Sequence, residues 1–207
     1  MDALTLLQQS PVMPVIVIKE LDTAVDLARA LVEGGIRSLE VTLRSDAALD
    51  AIRAIGAEVP DAIVGVGTVL TPAQLEASLA AGARFAISPG LTPDLAAAAR
   101  DIDVPFLPGV ATPSEAMWAA EQGFSVQKLF PAEAVGGRAL LKALAGPLPQ
   151  LKFCPTGGIN LANAPEYLAL PNVMCVGGSW LTPEAAVDAR DWATITRLAR
   201  EASALAR

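Results

Sequence analysis

The sequence predicts an α/β protein, a (β/α)8 barrel of the TIM type with a short N-terminal lead-in helix, as one domain over residues 1–207. Three observations carry that expectation. Eight short runs rich in β-branched residues recur along the chain, Ala/Leu-rich stretches with helical spacing separate them, and no compositional linker interrupts the alternation. Strict βα alternation requires a parallel sheet, either open or closed. An open doubly wound sheet should offer a glycine-rich loop after its first strand, but here that strand ends Ile18-Lys19-Glu20 with no GxGxxG. The closed barrel is favoured, with a length near the lower end of the range of about 200 to more than 400 residues for that fold.

In chain order, Ala3–Ser10 reads as the lead-in helix. Strands are expected at Val12–Ile18, Ser38–Thr42, Ile63–Gly67, Phe85–Ser88, Val104–Leu107, Ser125–Leu129, Lys152–Pro155 and Val173–Val176. Helices are expected at Thr23–Glu33, Ala47–Glu58, Pro72–Ala81, Pro93–Arg100, Pro113–Glu121 and Arg138–Ala145. A threonine cap followed by proline marks helix starts at Thr71-Pro72, Thr92-Pro93, Thr112-Pro113 and Thr182-Pro183. Glycines at 34, 56, 82, 123 and 146 mark helix ends.

Composition narrows the function. The chain is 53% apolar and 18% charged, against about 45–50% and about 25% for an average soluble domain. A core is therefore assured and disorder is excluded. A net charge of −7 disfavours a nucleic-acid partner. The longest uncharged stretch, Tyr167–Pro183, has 17 residues and is broken by Pro171, Gly177 and Gly178, so it reads as core and not as a membrane span. Met1-Asp2-Ala3-Leu4 lacks a basic leader region, and a cytoplasmic protein is expected. There is no histidine, hence no histidine base and no histidine metal ligand. Cys154 and Cys175 read as small core residues in a reducing compartment. Catalysis must then rest on carboxylates, Arg, hydroxyls, backbone amides and four lysines.

In a barrel the active site lies at the carboxyl ends of the strands, so the polar residues there are the candidates. Strand two, Leu39-Glu40-Val41-Thr42-Leu43-Arg44, alternates. If Val41 and Leu43 pack on helices, Glu40, Thr42 and Arg44 face the mouth. The plainer reading is a salt bridge that holds the strand end. Strand six carries Lys128 near its end, where an amine out of water favours its neutral, nucleophilic form. Alternation leaves its face open, because Lys128 aligns with Val126 and Phe130 while Gln127 aligns with Leu129. Lys19, at the end of strand one, is its only rival; Lys142 lies in a helix and Lys152 at the wrong end of a strand. Thr68, Ser88-Pro89-Gly90 and Pro108-Gly109 end strands three to five, each explicable as turn chemistry. Gly157-Gly158 and Gly177-Gly178-Ser179 follow the last two strands, where barrels frequently bind phosphate through backbone amides. Together these parts describe metal-independent aldol chemistry through a lysine imine.

Seven segments in order also resemble the 2-keto-3-deoxy-6-phosphogluconate (KDPG) aldolase / 4-hydroxy-2-oxoglutarate aldolase family. They are Pro-Val-Met-Pro-Val-Ile near the start, Leu-Glu-Val-Thr-Leu-Arg (39–44), Gly-Val-Gly-Thr-Val-Leu (65–70), Phe-Ala-Ile-Ser-Pro-Gly (85–90), Lys-Leu-Phe-Pro-Ala-Glu (128–133), Cys-Pro-Thr-Gly-Gly-Ile (154–159) and Val-Gly-Gly-Ser-Trp (176–180). The resemblance covers nearly the whole chain. It implies a class I aldolase that splits KDPG into pyruvate and glyceraldehyde 3-phosphate, with side activity on 4-hydroxy-2-oxoglutarate. It implies no cofactor and no metal, a phosphorylated keto-acid substrate, and a homotrimer. Residue by residue, Lys128 would form the Schiff base and Glu40 would be the general acid/base, while Arg44 and Thr68 would bind the pyruvate carboxylate. Pro89, Phe130 and Thr156 would line the pocket, with Thr156 bearing on configuration at C4. Gly157, Gly158, Gly177, Gly178 and Ser179 would hold phosphate. One departure is Leu129, where many members have Phe after the lysine. Rival readings are the galactonate-type aldolase of opposite C4 configuration, a phosphosugar isomerase barrel without an imine, and a non-catalytic metabolite sensor.

Overall fold

The computed structural model describes residues 1–206. Helix α1 (Ala3–Leu7) is started by Asp2, whose carboxylate accepts the Thr5 N–H at 2.7 Å. Strands and helices then alternate as β1 (Val12–Ile16), α2 (Ala24–Glu33), β2 (Ser38–Thr42), α3 (Ala48–Glu58), β3 (Ile63–Gly67), α4 (Pro72–Ala80), β4 (Ala86–Ile87) and α5 (Pro93–Arg100). The chain continues through β5 (Phe106–Leu107), β6 (Gly109–Val110), α6 (Pro113–Glu121), β7 (Val126–Leu129), α7 (Gly137–Ala145), β8 (Lys152–Pro155) and α8 (Ala164–Leu168). It closes with β9 (Val176–Gly178), α9 (Glu184–Asp188) and α10 (Trp192–Ser203).

All paired strands are parallel, as crossover helices require. The ladders form a curled six-stranded sheet, in the order β5-β4-β3-β2-β1-β9, and a three-stranded sheet, β6-β7-β8. An uninterrupted ring of eight strands was the expectation, and two features break it. Pro108 has no N–H to give the ladder, so the chain breaks there into β5, inside the expected Val104–Leu107, and β6, beyond its end. Between β8 and the last strand only isolated bridges form, Phe153 with Val173 and Thr156 with Gly177.

The sheet has two apolar faces. Leu39, Val41, Val64, Val66, Ala86, Leu129 and Phe153 pack with the helices. The alternate residues Met13, Ile63, Phe85, Ile87, Leu107, Val126, Cys154 and Cys175 form a separate cluster on the other face, which Leu6 and Leu7 of α1 cover. This settles the question that alternation left open at β7. Val126 belongs to the inner cluster, so Lys128 also faces inward, while Gln127 faces the helices and donates to the carbonyls of Ala116 (2.9 Å) and Phe124 (2.8 Å).

Three of the four Thr-Pro starts behave as expected. The hydroxyls of Thr71, Thr92 and Thr112 accept the N–H groups of Gln74, Leu95 and Glu115 at 3.2–3.3 Å, and Glu115 answers by accepting the Thr112 N–H at 3.1 Å. The fourth differs. Pro183 is itself the residue before α9, and the Thr182 hydroxyl turns back to the Ser179 carbonyl at 3.5 Å. Gly56 does not end its helix, because α3 runs on to Glu58. The last strand lies at Val176–Gly178 and not at Val173–Val176, because the glycines pair through their backbones with Met13 and Pro14 of β1. Strand β1 stops at Ile16, two residues short of expectation, and α8 and α10 were not anticipated.

Among the described residues no helix is long and apolar enough to cross a membrane. Leu7 is 1% exposed and sits wholly within the inner cluster. Leu7→Ala should therefore destabilise the protein by about 2–5 kcal/mol, read as a lowered urea midpoint. An unchanged midpoint would show that α1 contributes nothing to that cluster.

Candidate active site

Packing on the helices turns Leu39, Val41 and Leu43 outward, so Glu40, Thr42 and Arg44 share the other face. Glu40 and Lys128 meet there. The Lys128 Nζ lies 3.1 Å from the Glu40 Oε1, with side-chain exposures of only 7% and 2%. Two charges removed from water each lose several kcal/mol of hydration, and their mutual bond is what makes this tolerable. The Phe130 ring adds a face 5.3 Å from the same ammonium.

Glycines let neighbouring groups close in around the pair. A Cβ on Gly67 would overlap the Glu40 carboxylate, and a Cβ on Gly109, the register partner of Lys128, would run into the Pro89 backbone. Thr42 donates to the Ile16 carbonyl at 2.9 Å, and its oxygen accepts the Arg44 Nε–H at 3.2 Å, which fixes the root of the guanidinium. Just past β3, Thr68 holds a left-handed backbone at φ 62°, a conformation that costs a non-glycine residue about 1–3 kcal/mol and recurs at functional sites.

A cavity of about 660 Å³ opens at the carboxyl ends of β1, β7, β8 and β9. It gathers Arg44, Phe130, Thr156, Gly157, Gly158, Gly177, Gly178 and Ser179 from the sequence-derived set. Glu40, Lys128, Thr68 and Pro89 are outside its lining; Phe130, against the Lys128 ammonium, links the cavity to the buried pair. Gly157 and Gly158 have φ of 104° and 78°, which β-carbon-bearing residues rarely adopt. Their loop is pinned by Asn163, whose amide donates to the Gly158 carbonyl at 3.1 Å, and by Asn160, which accepts the Ala162 N–H at 2.9 Å. Across the cavity, a Cβ on Gly177 would overlap the Thr156 side chain and one on Gly178 the Trp180 ring. Below Thr156 the Cys154 and Cys175 sulfurs lie 3.3 Å apart in the inner cluster, as reduced, buried thiols.

At the cavity mouth the lysine that ends strand one finds a partner that strand-end reasoning does not reach, and a second ion pair lies beside it. Lys19 pairs with Glu184 of α9, and Arg190 pairs with Asp22 at 2.5 Å, so two ion pairs join the loop after β1 to the segment after β9. Lys19 is exposed, and its bond to Glu184 raises its pKa above the ordinary 10.5. No spacing rule links residues 165 positions apart. Among the described residues no group of three or more His, Cys, Asp or Glu could hold a metal ion.

A buried amine–carboxylate bond, near a glycine-lined cavity that also takes in a guanidinium, is an arrangement of the kind an imine-forming aldolase needs. Comparison with known proteins agrees. The family model "KDPG and KHG aldolase" matches residues 4–198. The KHG/KDPG aldolase of Escherichia coli K12 is 57% identical over 198 residues, covering 96% of this chain and 93% of that one. A crystal structure of KDPG aldolase from Legionella pneumophila, with pyruvate captured at low pH as a covalent carbinolamine intermediate, superposes with a TM-score of 0.95 at 51% identity, covering 97% of this chain and 98% of that one. The Zymomonas mobilis ZM4 enzyme with 3-phosphoglycerate has a TM-score of 0.94 at 47% identity, covering 98% and 95%. The chain belongs to the KDPG and KHG aldolase family.

Two expectations follow from the geometry. Gly67→Ala should push the Glu40 carboxylate off Lys128, and displacement of about 1 Å typically lowers turnover by about 10²-fold; near-normal steady-state turnover would contradict the contact. In an NMR titration the Lys19 amine should lose its proton above the ordinary value of 10.5, because its partner stays ionised there. Glu184→Gln should bring that midpoint down, and an unmoved midpoint would mean that the pair does not form in solution. The link is intact at neutral pH and is lost as the pH falls through the lowered pKa of Glu184 or rises through the raised pKa of Lys19.

Proposed function

We propose that this protein is a metal-independent class I aldolase that reversibly cleaves 2-keto-3-deoxy-6-phosphogluconate to pyruvate and glyceraldehyde 3-phosphate. The observation that carries the reading is the buried Lys128–Glu40 contact at 3.1 Å. An amine must shed a proton before it attacks a carbonyl, and Glu40 is within reach to take it.

The cycle follows from the positions. The Lys128 Nζ adds to the C2 carbonyl, giving a carbinolamine. Glu40 returns a proton to the departing hydroxyl, water leaves, and an iminium remains. Glu40, through a water, then takes the proton of the C4 hydroxyl. As its oxygen becomes the aldehyde, the C3–C4 electrons flow into the iminium and leave an enamine. Glyceraldehyde 3-phosphate departs, a proton returns to C3, and water releases pyruvate and the free amine. The iminium is the electron sink, so the chemistry asks for no metal. Arg44, braced by Thr42, holds the carboxylate as a fork that lysine cannot copy, with the Thr68 hydroxyl as second donor. Pro89 and Phe130 wall the pocket. Thr156, anchored against Gly177, meets the C4 substituents and favours the gluconate over the galactonate epimer. The amides of Gly157, Gly158, Gly177 and Gly178, with the Ser179 hydroxyl, receive the phosphate, and the phosphorylated ligand of the Zymomonas mobilis relative supports that subsite.

The same reading takes the chain as one domain over residues 1–207 whose two sheets complete a (β/α)8 barrel. The Thr156–Gly177 and Phe153–Val173 bridges support closure on one side, and the run of β5 into β6 across Pro108 supports it on the other. It also takes the enzyme as a cytoplasmic homotrimer with 4-hydroxy-2-oxoglutarate as a side substrate. Light scattering should return three times the 21.3 kDa chain mass.

The deciding experiment is intact mass and peptide mapping after incubation with pyruvate and borohydride. One reduced pyruvate adduct on Lys128 is expected, and none with Lys128→Ala, which should keep its fold and lose cleavage. Glu40→Gln should lower turnover by about 10²–10⁴-fold. An adduct on Lys19 would move the site, and no adduct from folded protein would remove imine chemistry.

A further inference from the structure

The loops after β7 and β8 are tied together by a side-chain pair that the reaction cycle leaves unused. After the cis Phe130–Pro131 bond, the N–H groups of Ala132 and Glu133 donate to the carbonyls of Thr156 and Gly157, at 2.8 and 3.1 Å. The Glu133 side chain then lies along Gly158, where an added Cβ would meet the Glu133 Cγ at 2.6 Å and Cβ at 2.8 Å. From the far side, the Tyr167 hydroxyl of α8 donates to the Glu133 Oε1. Tyr167 is the chain's only tyrosine and is fully buried. Gly137, at φ 49°, lies where a Cβ would overlap the Tyr167 hydroxyl, so the turn is shaped around this contact. Burial, and then the bond to Glu133, raise the Tyr167 pKa, and it remains a proton donor throughout the neutral range.

The placement is odd for a carboxylate. Glu133 abuts a loop whose amides are assigned to an anion, and a negative charge there repels the ligand unless it is engaged elsewhere. Tyr167 engages it, and the Arg138 guanidinium lies 5.9 Å over the tyrosine ring. Leucine or alanine at 133 would avoid the repulsion but leave Tyr167 with a buried unpaired hydroxyl.

We propose that Glu133 and Tyr167 are positioning residues that clamp the Gly157–Gly158 backbone in its anion-receiving form, and that they set affinity for the phosphorylated end of the substrate. The inference rests on the phosphate assignment made above.

The test is aldol synthesis from pyruvate with two acceptors, glyceraldehyde 3-phosphate and glyceraldehyde. Tyr167→Phe should raise KM for the phosphorylated acceptor at least about tenfold with kcat within about twofold, and leave kcat/KM for glyceraldehyde within about twofold. Borohydride trapping of pyruvate should be unchanged. Glu133→Ala should behave alike without disturbing the buried ring. Glu133→Gln, whose amide oxygen still accepts the tyrosine hydroxyl and which carries no charge, should keep KM at or below the wild-type value. Equal losses on both acceptors, or an unmoved KM in both Tyr167→Phe and Glu133→Ala, would overturn the clamp while leaving the aldolase reading intact. A wild-type enzyme with no preference for the phosphorylated acceptor would overturn the phosphate assignment and the clamp with it.

Discussion

Everything near the site is arranged around one constraint, an ammonium and a carboxylate buried against each other. Replacing such a pair by apolar residues of like volume is often neutral or stabilising by about 1–4 kcal/mol, so stability alone does not explain its presence. The architecture makes concessions to it. Gly67 forgoes a side chain where the Glu40 carboxylate lies. Directly below, Met13, Ile63, Phe85, Val126 and Cys154 fill the inner face with apolar atoms. The pair thus has a dry floor and a polar ceiling.

Much of this was legible in the sequence, for reasons that differ by residue. Glu40, Thr42 and Arg44 were readable because period-two alternation needs only local information, and the packing of Leu39, Val41 and Leu43 on the helices bears it out. Lys128 was not readable by that route, since both faces of β7 are buried and both look mixed. Its orientation follows from Val126 joining the inner cluster, a fact about neighbouring strands. The last strand was misread because Val173–Val176 has the apolar composition of a strand, while the actual ladder runs through glycines that contribute backbone only. The final helix α10 escaped notice because its exposed face is strongly charged and only Ile195, Thr196, Ala199 and Ala202 are buried.

Contacts between distant positions were illegible altogether. Lys19 with Glu184, Asp22 with Arg190, and Glu133 with Tyr167 each join segments far apart in sequence that only the fold brings together. The candidate site residues stand on or just past the strands, where topology points. Residues that hold the loops carry no such address, and their partners appear only once the chain is folded.

The covering of the inner face by α1 has a consequence for traffic. With Leu6 and Leu7 packed among the inner side chains, that face is filled with apolar atoms, and the cavity at the carboxyl ends is the opening left for keto acid and aldehyde. In the proposed cycle the water that frees pyruvate and the aldehyde that leaves would use that same opening, so the loops at the carboxyl ends of the strands carry all of the reaction's traffic.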